Sequence, residues 1–549
     1  MKFYLDKQFI FLIAITAFFF GCKQKQKVDS LYFNARVYTV DSSNSTPTAF
    51  VVSKGKFISV GSEKQLRDEF DPAQEIDLHW QFVYPGLNDA HAHFYGLGQT
   101  LQTVDLIGTT SWQDVLDRCS VFYKNHPGSY ILGRGWDQND WTQKEYPVND
   151  ELNKLFPNIP VLLKRVDGHA AIANDYLLKK TFSYVNLLSA KIDGGEVIFK
   201  NKIPTGVLID NAVDLVKKYM PEISTAEKMK SLLDAQKVCF ENGLTTVCDA
   251  GLDKEMIDLI DSLQKAGVLK IRIYAMVNAT EKNIEYYLSK PIYKTDLLNV
   301  CSFKLYADGA LGSRGACLLK PYNDSKDHSG FLLTSKEQLE EYVKRISKSK
   351  FQLNTHCIGD SANRLILNLY AKYLKGKNDQ RWRIEHAQVI DSADFKIYGA
   401  YNIIPSVQPT HATSDMYWAE SRLGKERLKY AYAYKLLLQQ NSWMPLGTDF
   451  PVESVNPFYT FYSAVARQDS KGFPPKGFKP ENALTREEAL RGITIWPAMA
   501  AFEEKEKGSI EAGKFADFIL LDMDLLKDDL LKIRNAKVNA TFVGGVKVN

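Results

Sequence analysis

The sequence predicts an α/β protein built on a closed parallel (β/α)8 barrel, and three observations predict it. Eight short, apolar, β-like runs alternate through the middle of the chain with amphipathic stretches of helical period. Both chain ends alternate apolar and polar residues with period two, which predicts a small β-sandwich assembled from the two ends. A stretch of about residues 99–240 is too long for a simple crossover and carries strand-like runs of its own ("YILGRGW", "PVLLKRVDG"), so it reads as an insertion after the first barrel strand.

The elements follow in chain order. Residues 1–21 open with the lysines of "MKFYLDKQ" and continue into the apolar run "FIFLIAITAFFF". That run falls short of the ~20 apolar residues a membrane-spanning helix needs. With Gly21 before Cys22, it predicts an export signal. Its end, "FFFGC", resembles a bacterial lipoprotein signal, which implies lipidation of Cys22 and a protein exported to the periplasm or cell surface and held there by that anchor alone. The alternative is a plain signal peptide with an incidental cysteine. Residues 22–30, "CKQKQKVDS", then read as a polar tether. Residues 31–84 form the first part of the sandwich, with "SKGK" turning a β-hairpin. Residues 85–480 form the barrel, whose eight strand candidates run from "QFVYPGLNDA" to "SWMPLGTDF". Stretches such as "KEQLEEYVKRISKSK" supply the helices between them. Residues 481–549 add a helix and the rest of the sandwich.

Composition narrows the function. Apolar residues make up 45% and charged residues 24%, as in an ordinary globular protein, and a net charge of +4 without a basic stripe gives no case for nucleic acid. Apart from Cys22, the six remaining cysteines form no CxxC pair, which argues against a cysteine zinc site and for buried free thiols.

The chemistry begins at "PGLNDAHAHF". Residues i and i+2 of a strand project to one side, so His91 and His93 point together at the end of the first strand. The carboxyl ends of barrel strands form the active face. Candidate ligands recur at other strand ends: His356 in "FQLNTHCIGD", His386 in "RWRIEHAQ" and Asp449 in "SWMPLGTDF", with Lys304 inside "CSFKLYADG".

These motifs, with "RGWDQ", "VDGHA", "GALGSR" and "GSIEAGKFAD", resemble the amidohydrolase superfamily, in the branch called amidohydrolase 3 or N-substituted formamide deformylase-like. The resemblance runs from about residue 31 to the end of the chain. It implies a TIM-like metal-dependent hydrolase barrel with a composite sandwich. It implies that His91 and His93 bind a first divalent ion, that His356 and His386 bind a second, and that Lys304 bridges them as an N6-carboxylated anion. One or two zinc ions fit these donors. Asp449 is expected to touch the first metal and to act as general base and then acid. A divalent ion lowers the pKa of water to roughly 7, which makes a nucleophile available for a small-molecule amide.

His169 in "VDGHA" and His411 in "QPTHA" match motif histidines of the branch and are candidates to contact substrate, against a structural role. Arg314 is a candidate to bind a substrate carboxylate, and Trp136 with Asp137 to line a pocket of the insertion; a surface arginine and an aromatic core are the alternatives. His79, His126 and His328 belong to no motif and read as structural, and Asp360 or Ser361 as the cap of the helix after His356. Hydrolysis of an N-formyl, N-acyl or cyclic amide is the leading expectation. A non-catalytic binding lipoprotein on this fold and a hydrolase of esters, lactones or phosphoesters stand as alternatives.

Overall fold

A computed structural model describes residues 24–165, 170–181 and 195–549; Cys22 and His169 lie outside them. Seven parallel strands stand side by side in chain order: β1 (Leu87–Ala92), β2 (Leu244–Leu252), β3 (Arg272–Asn278), β4 (Leu298–Tyr306), β5 (Gln352–Cys357), β6 (Arg383–His386) and β7 (Ile404–Ser406). They make a nearly closed barrel. Helices pack around the outside of it. In Lys336–Ile346 the buried residues Leu339, Tyr342, Val343 and Ile346 recur at helical spacing, and the Ser335 hydroxyl accepts the N–H of Gln338 to start the helix.

The eighth segment, residues 442–450, is not a regular strand. It closes the ring through single contacts: Leu446 bridges Val407, Ala90 N–H donates to the Leu446 carbonyl at 3.1 Å, and Asp449 N–H donates to the His91 carbonyl at 2.8 Å. Pro445 has no N–H to give a ladder. Gly447 lies so close to β1 that a Cβ there would sit 2.6 Å from the His91 nitrogen. The first predicted strand, "QFVYPGLNDA", also divides. Phe82–Pro85 pairs with Phe518–Leu521 in the sandwich, and only Leu87–Ala92 enters the barrel. Gly86 makes the step, where any Cβ would meet the Thr245 hydroxyl at 2.3 Å.

The two chain ends meet in two small sheets. One holds Gln26–Phe33, Ala49–Ser53, Lys56–Gly61 and Phe70–Asp77; the other holds Arg36–Val37, Phe82–Pro85, Phe518–Leu521, Val538–Val543 and Val546–Lys547. Tyr32 and Phe50 stack at 4.8 Å, and Phe518 and Phe542 at 4.2 Å, filling the core between them. The expected tether is therefore shorter. Residues 26–30 already belong to the strand Gln26–Phe33, because Val28 and Leu31 are buried while the backbone pairs in parallel with Phe70–Asp77. The predicted insertion contains a six-stranded sheet of its own, from Val104–Asp105 to Ile203–Asp210, with Trp136 buried in its core. Thr225–Glu241, within the predicted bounds of the insertion, instead packs Leu232, Ala235 and Phe240 into the barrel's hydrophobic core, so the insertion ends before this helix.

Candidate metal centre

The carboxyl rim of the barrel gathers the six residues the sequence singled out. His91 is the penultimate residue of β1 with His93 just beyond the strand, Lys304 lies near the end of β4, His356 on β5 and His386 at the last position of β6, and Asp449 lies near the end of the irregular eighth segment. All six line one cavity of about 380 Å³. His91 Nε2 is 3.2 Å from Lys304 Nζ and 3.6 Å from Asp449 Oδ1, and His93 Nε2 is 3.2 Å from the same carboxylate oxygen. The rings of His91 and His356 stand 4.7 and 4.5 Å from that of His386. Among the described residues, His91, His386 and Asp449 offer ligand atoms that all lie within 4.8 Å of one another. This trio crosses the division into two pairs that the resemblance implied.

Local structure explains how the side chains converge. On β6, Arg383 and Glu385 project into the barrel and Ile384 packs into the outer core. Regular alternation would send His386 outward with Ile384. It takes φ +72° instead, in the left-handed region, and turns into the cavity. Asp449 adopts φ +65° for the same end. Such backbone costs of order 1–3 kcal/mol per residue and persists where surrounding contacts hold it.

Sequence reasoning missed the residues that hold the ligands. Glu385, fully buried, accepts a hydrogen bond from His91 Nδ1. A carboxylate can only accept, so that nitrogen carries the proton and Nε2 is left with its lone pair toward the cavity. Gln408 Oε1 accepts from His386 Nδ1 at 2.7 Å and has the same consequence. Arg383 Nε lies 2.7 Å from Glu385 Oε1, and its Nη2 donates to the Ala90 carbonyl at 2.5 Å. Asp308 accepts the N–H groups of Cys317, Ile358 and Gly359 at 2.8–3.0 Å, so it joins the loop after β4 to the end of β5. Glu385 sits inside "RIEH" and Asp308 inside "YADG", so the motifs contained them; nothing local marks their partners.

The charges agree with a cation site. Burial, then Lys304, lowers His91 to about 4, and the same causes lower His356 to about 3. Burial lowers His386 well below its usual value. His91, His356 and His386 are thus neutral, as ligands must be. Burial works against the charge of Asp449, but His411 and His93 hold its carboxyl well below the ordinary range. Burial likewise opposes Glu385, yet Arg383 and His91 bring it to about 2. Asp449 Oδ1 and His356 Nε2 are buried and make no hydrogen bond. Buried polar atoms left without a hydrogen bond are costly, and a cation in the cavity that both residues line would relieve them. The donors present fit a divalent ion.

Other candidates fall differently. His411, at 3.4 Å from Asp449 Oδ2, lines the cavity. Arg314 does not line it: its guanidinium grips Asp324 at 3.1 and 3.0 Å, and that pair fastens the loop. Trp136 does not line it either, since its indole N–H donates to the Leu163 carbonyl inside the insertion core. Asp360 is the first residue of its helix and accepts from Leu319 N–H at 2.8 Å, while Gly359 holds the cap position without a side-chain bond.

Comparison with known proteins agrees with this geometry. The chain is 32% identical to Protein LONG AFTER FAR-RED 3 of Arabidopsis thaliana, covering 94% of this chain and 91% of that one. It is 27% identical to N-substituted formamide deformylase of Arthrobacter pascens, covering 95% and 98%. Its structure is similar to the crystal structure of an uncharacterized metal-dependent hydrolase from Pyrococcus horikoshii OT3, with a TM-score of 0.78 and 27% identity over 91% of this chain and 99% of that one. The sequence model of the amidohydrolase family matches residues 74–548, so strands, rim and ligand set are framed by one assignment: the chain belongs to the amidohydrolase family.

Proposed function

We propose that the protein hydrolyses an amide-type C–N bond of a small molecule, an N-formyl, N-acyl or cyclic amide, at one or two divalent ions, with zinc suited to the donors. The observation that carries this reading is the cavity itself: it is lined by His91, His93, His356, His386, a buried lysine and an ionised aspartate, and the ligand atoms of His91, His386 and Asp449 lie within 4.8 Å of one another. The similarity to an enzyme named as a deformylase of N-substituted formamides supports the C–N bond. A bound divalent ion supplies Lewis acidity, acidifying water and polarising a carbonyl.

The chain's own groups do the rest. Asp449 Oδ1 faces the cavity without a hydrogen bond and accepts the proton of the attacking water. Protonated Asp449 then donates that proton to the departing nitrogen. His411 fixes the carboxylate from its other oxygen; burial disfavours its charge, but Asp449 beside it raises it to about 9, so it is a cation at neutral pH. Burial lowers the Lys304 amine to about 8, which leaves a usable fraction neutral, the form that adds carbon dioxide. The resulting carbamate would replace a cation by an anionic oxygen ligand.

Metal analysis of the purified protein, paired with a screen of N-formyl, N-acyl and cyclic amides against matched esters, tests the proposal. Bound divalent metal and preferential amide turnover are expected. Protein that holds no zinc or manganese after addition, and stays inert, would overturn it. Native mass spectrometry with and without bicarbonate reads the carbamate on Lys304; an unmodified lysine in metal-loaded protein would remove that part. Export on residues 1–21 and lipid attachment at Cys22 complete the proposal.

A further inference from the structure

A second cavity of about 690 Å³ opens between the barrel rim and the inserted sheet. It meets the metal-site cavity at His93 and Val452, which line both. Its barrel wall comes from Gln99 and Thr100 after β1 and from the end of β2. Its opposite wall carries three cations from three elements of the insertion: Arg134 on Ile131–Trp136, Lys164 on Val161–Arg165 and Lys217 at the end of Asn211–Lys217.

None of the three makes an ion pair or a side-chain hydrogen bond among the described residues, whereas Arg165, next to Lys164, pairs with Asp137. Lys164 is half-buried; burial, then the charges of Lys217 and Arg134, lowers its pKa. Like charges held together without a counter-charge cost energy in the folded protein and are relieved by an anion. Asp249 is the acidic residue of the barrel wall. It is buried and its carboxylate accepts Tyr95 N–H at 3.1 Å, beside β1. Asp214, on the helix of Lys217, acts on Lys164 from outside the cavity's lining.

We infer that this cleft binds the anionic end of the substrate, a carboxylate or phosphate, while the scissile bond lies at the metal-site cavity. The specificity would then reside in Arg134, Lys164 and Lys217, and the substrate class would be an acylated amine with an acidic tail. The reaction part of the inference rests on the hydrolase reading; the binding part does not.

Calorimetry on the metal-loaded protein tests it with three probe series of increasing chain length: N-formyl-ω-amino acids, N-formyl-aminoalkyl phosphates and uncharged N-alkylformamides. At least one anionic series is expected to bind about tenfold or more tightly than uncharged probes of equal length, because charge-assisted hydrogen bonds exceed neutral ones. Raising the salt should shrink that preference. The combined variant Arg134→Met, Lys164→Met, Lys217→Met should abolish it and leave the uncharged series unchanged. Lys217→Glu, at an exposed helix end, should weaken anion binding without the risk that the triple change unfolds the insertion. Equal binding of charged and uncharged probes by the unaltered protein would overturn the inference. If uncharged formamides are turned over without any anionic preference, the cleft assignment fails while the hydrolase stands. If anions bind and no probe is hydrolysed, the cleft stands and the hydrolase reading fails.

Discussion

Asp449 and Glu385 divide the work at the residue scale, and each predicts a different failure. Asp449 turns Oδ1 toward His93 and Oδ2 toward His411, at 3.2 and 3.4 Å, and lines the cavity. Asp449→Asn keeps the shape and removes the proton acceptor, so turnover should fall by ~10²–10⁴ while most metal is retained. Assay of kcat beside metal content checks this, and unchanged turnover would remove Asp449 from the mechanism. Glu385 does not line the cavity and acts through His91 Nδ1. Glu385→Gln should weaken metal affinity by ~10–100-fold, as measured by competition with a chelator, because the amide no longer draws on the ring N–H with a full charge. Asp449→Asn leaves the apolar core untouched, whereas Glu385→Gln also removes the charge beside buried Arg383, so its denaturation midpoint is measured beside its metal affinity.

At the scale of elements, the barrel is fastened to the sandwich by a buried pair. Arg272 on β3 gives Asp517 two parallel hydrogen bonds, at 2.6 and 2.8 Å, and a third bond from Arg272 reaches the Asp296 carbonyl at 2.6 Å. Both side chains are about 4% exposed. Asp517→Ala would strand the guanidinium without a counter-charge and should destabilise the protein by ~3–5 kcal/mol, read as a lower denaturation midpoint. A change under ~1 kcal/mol would mean water reaches Arg272 and the joint is weaker than its geometry. The irregular eighth segment is the other special element. It trades ladder bonds for the positive φ of Asp449 and the close approach of Gly447, and so it aims a carboxylate that a regular strand would not.

For the whole molecule, ligands from both ends of a long chain share one point, so metal binding and folding are linked. An ion that binds only the folded state stabilises it by ~2.7 kcal/mol at a free concentration one hundred times Kd. Chelation should therefore lower the thermal midpoint, and zinc should restore it; a midpoint indifferent to metal would argue against the site. Localisation belongs to this scale as well. Cys22→Ala should release the protein from the membrane fraction if the anchor is there, and a variant that stays bound would count against it. Among the described residues no helix is long and apolar enough to cross a membrane.

The sequence by itself determined the barrel class, seven of its strands and which residues stand at the strand tips, but not the irregular eighth segment or the division of the first strand. Period-two and helical patterns are local, and a histidine pair two residues apart needs no distant partner to be noticed. The tertiary structure alone decided which groups serve the ligands and which do not. His91 and Glu385 are 294 positions apart, and only the register of β1 and β6 around the ring brings them together. The same holds for Arg314 and Trp136: their motifs sit near the rim in sequence, yet Asp324 and the insertion core claim their side chains. Closure of the barrel, through hydrogen bonds no local pattern encodes, is the physical reason.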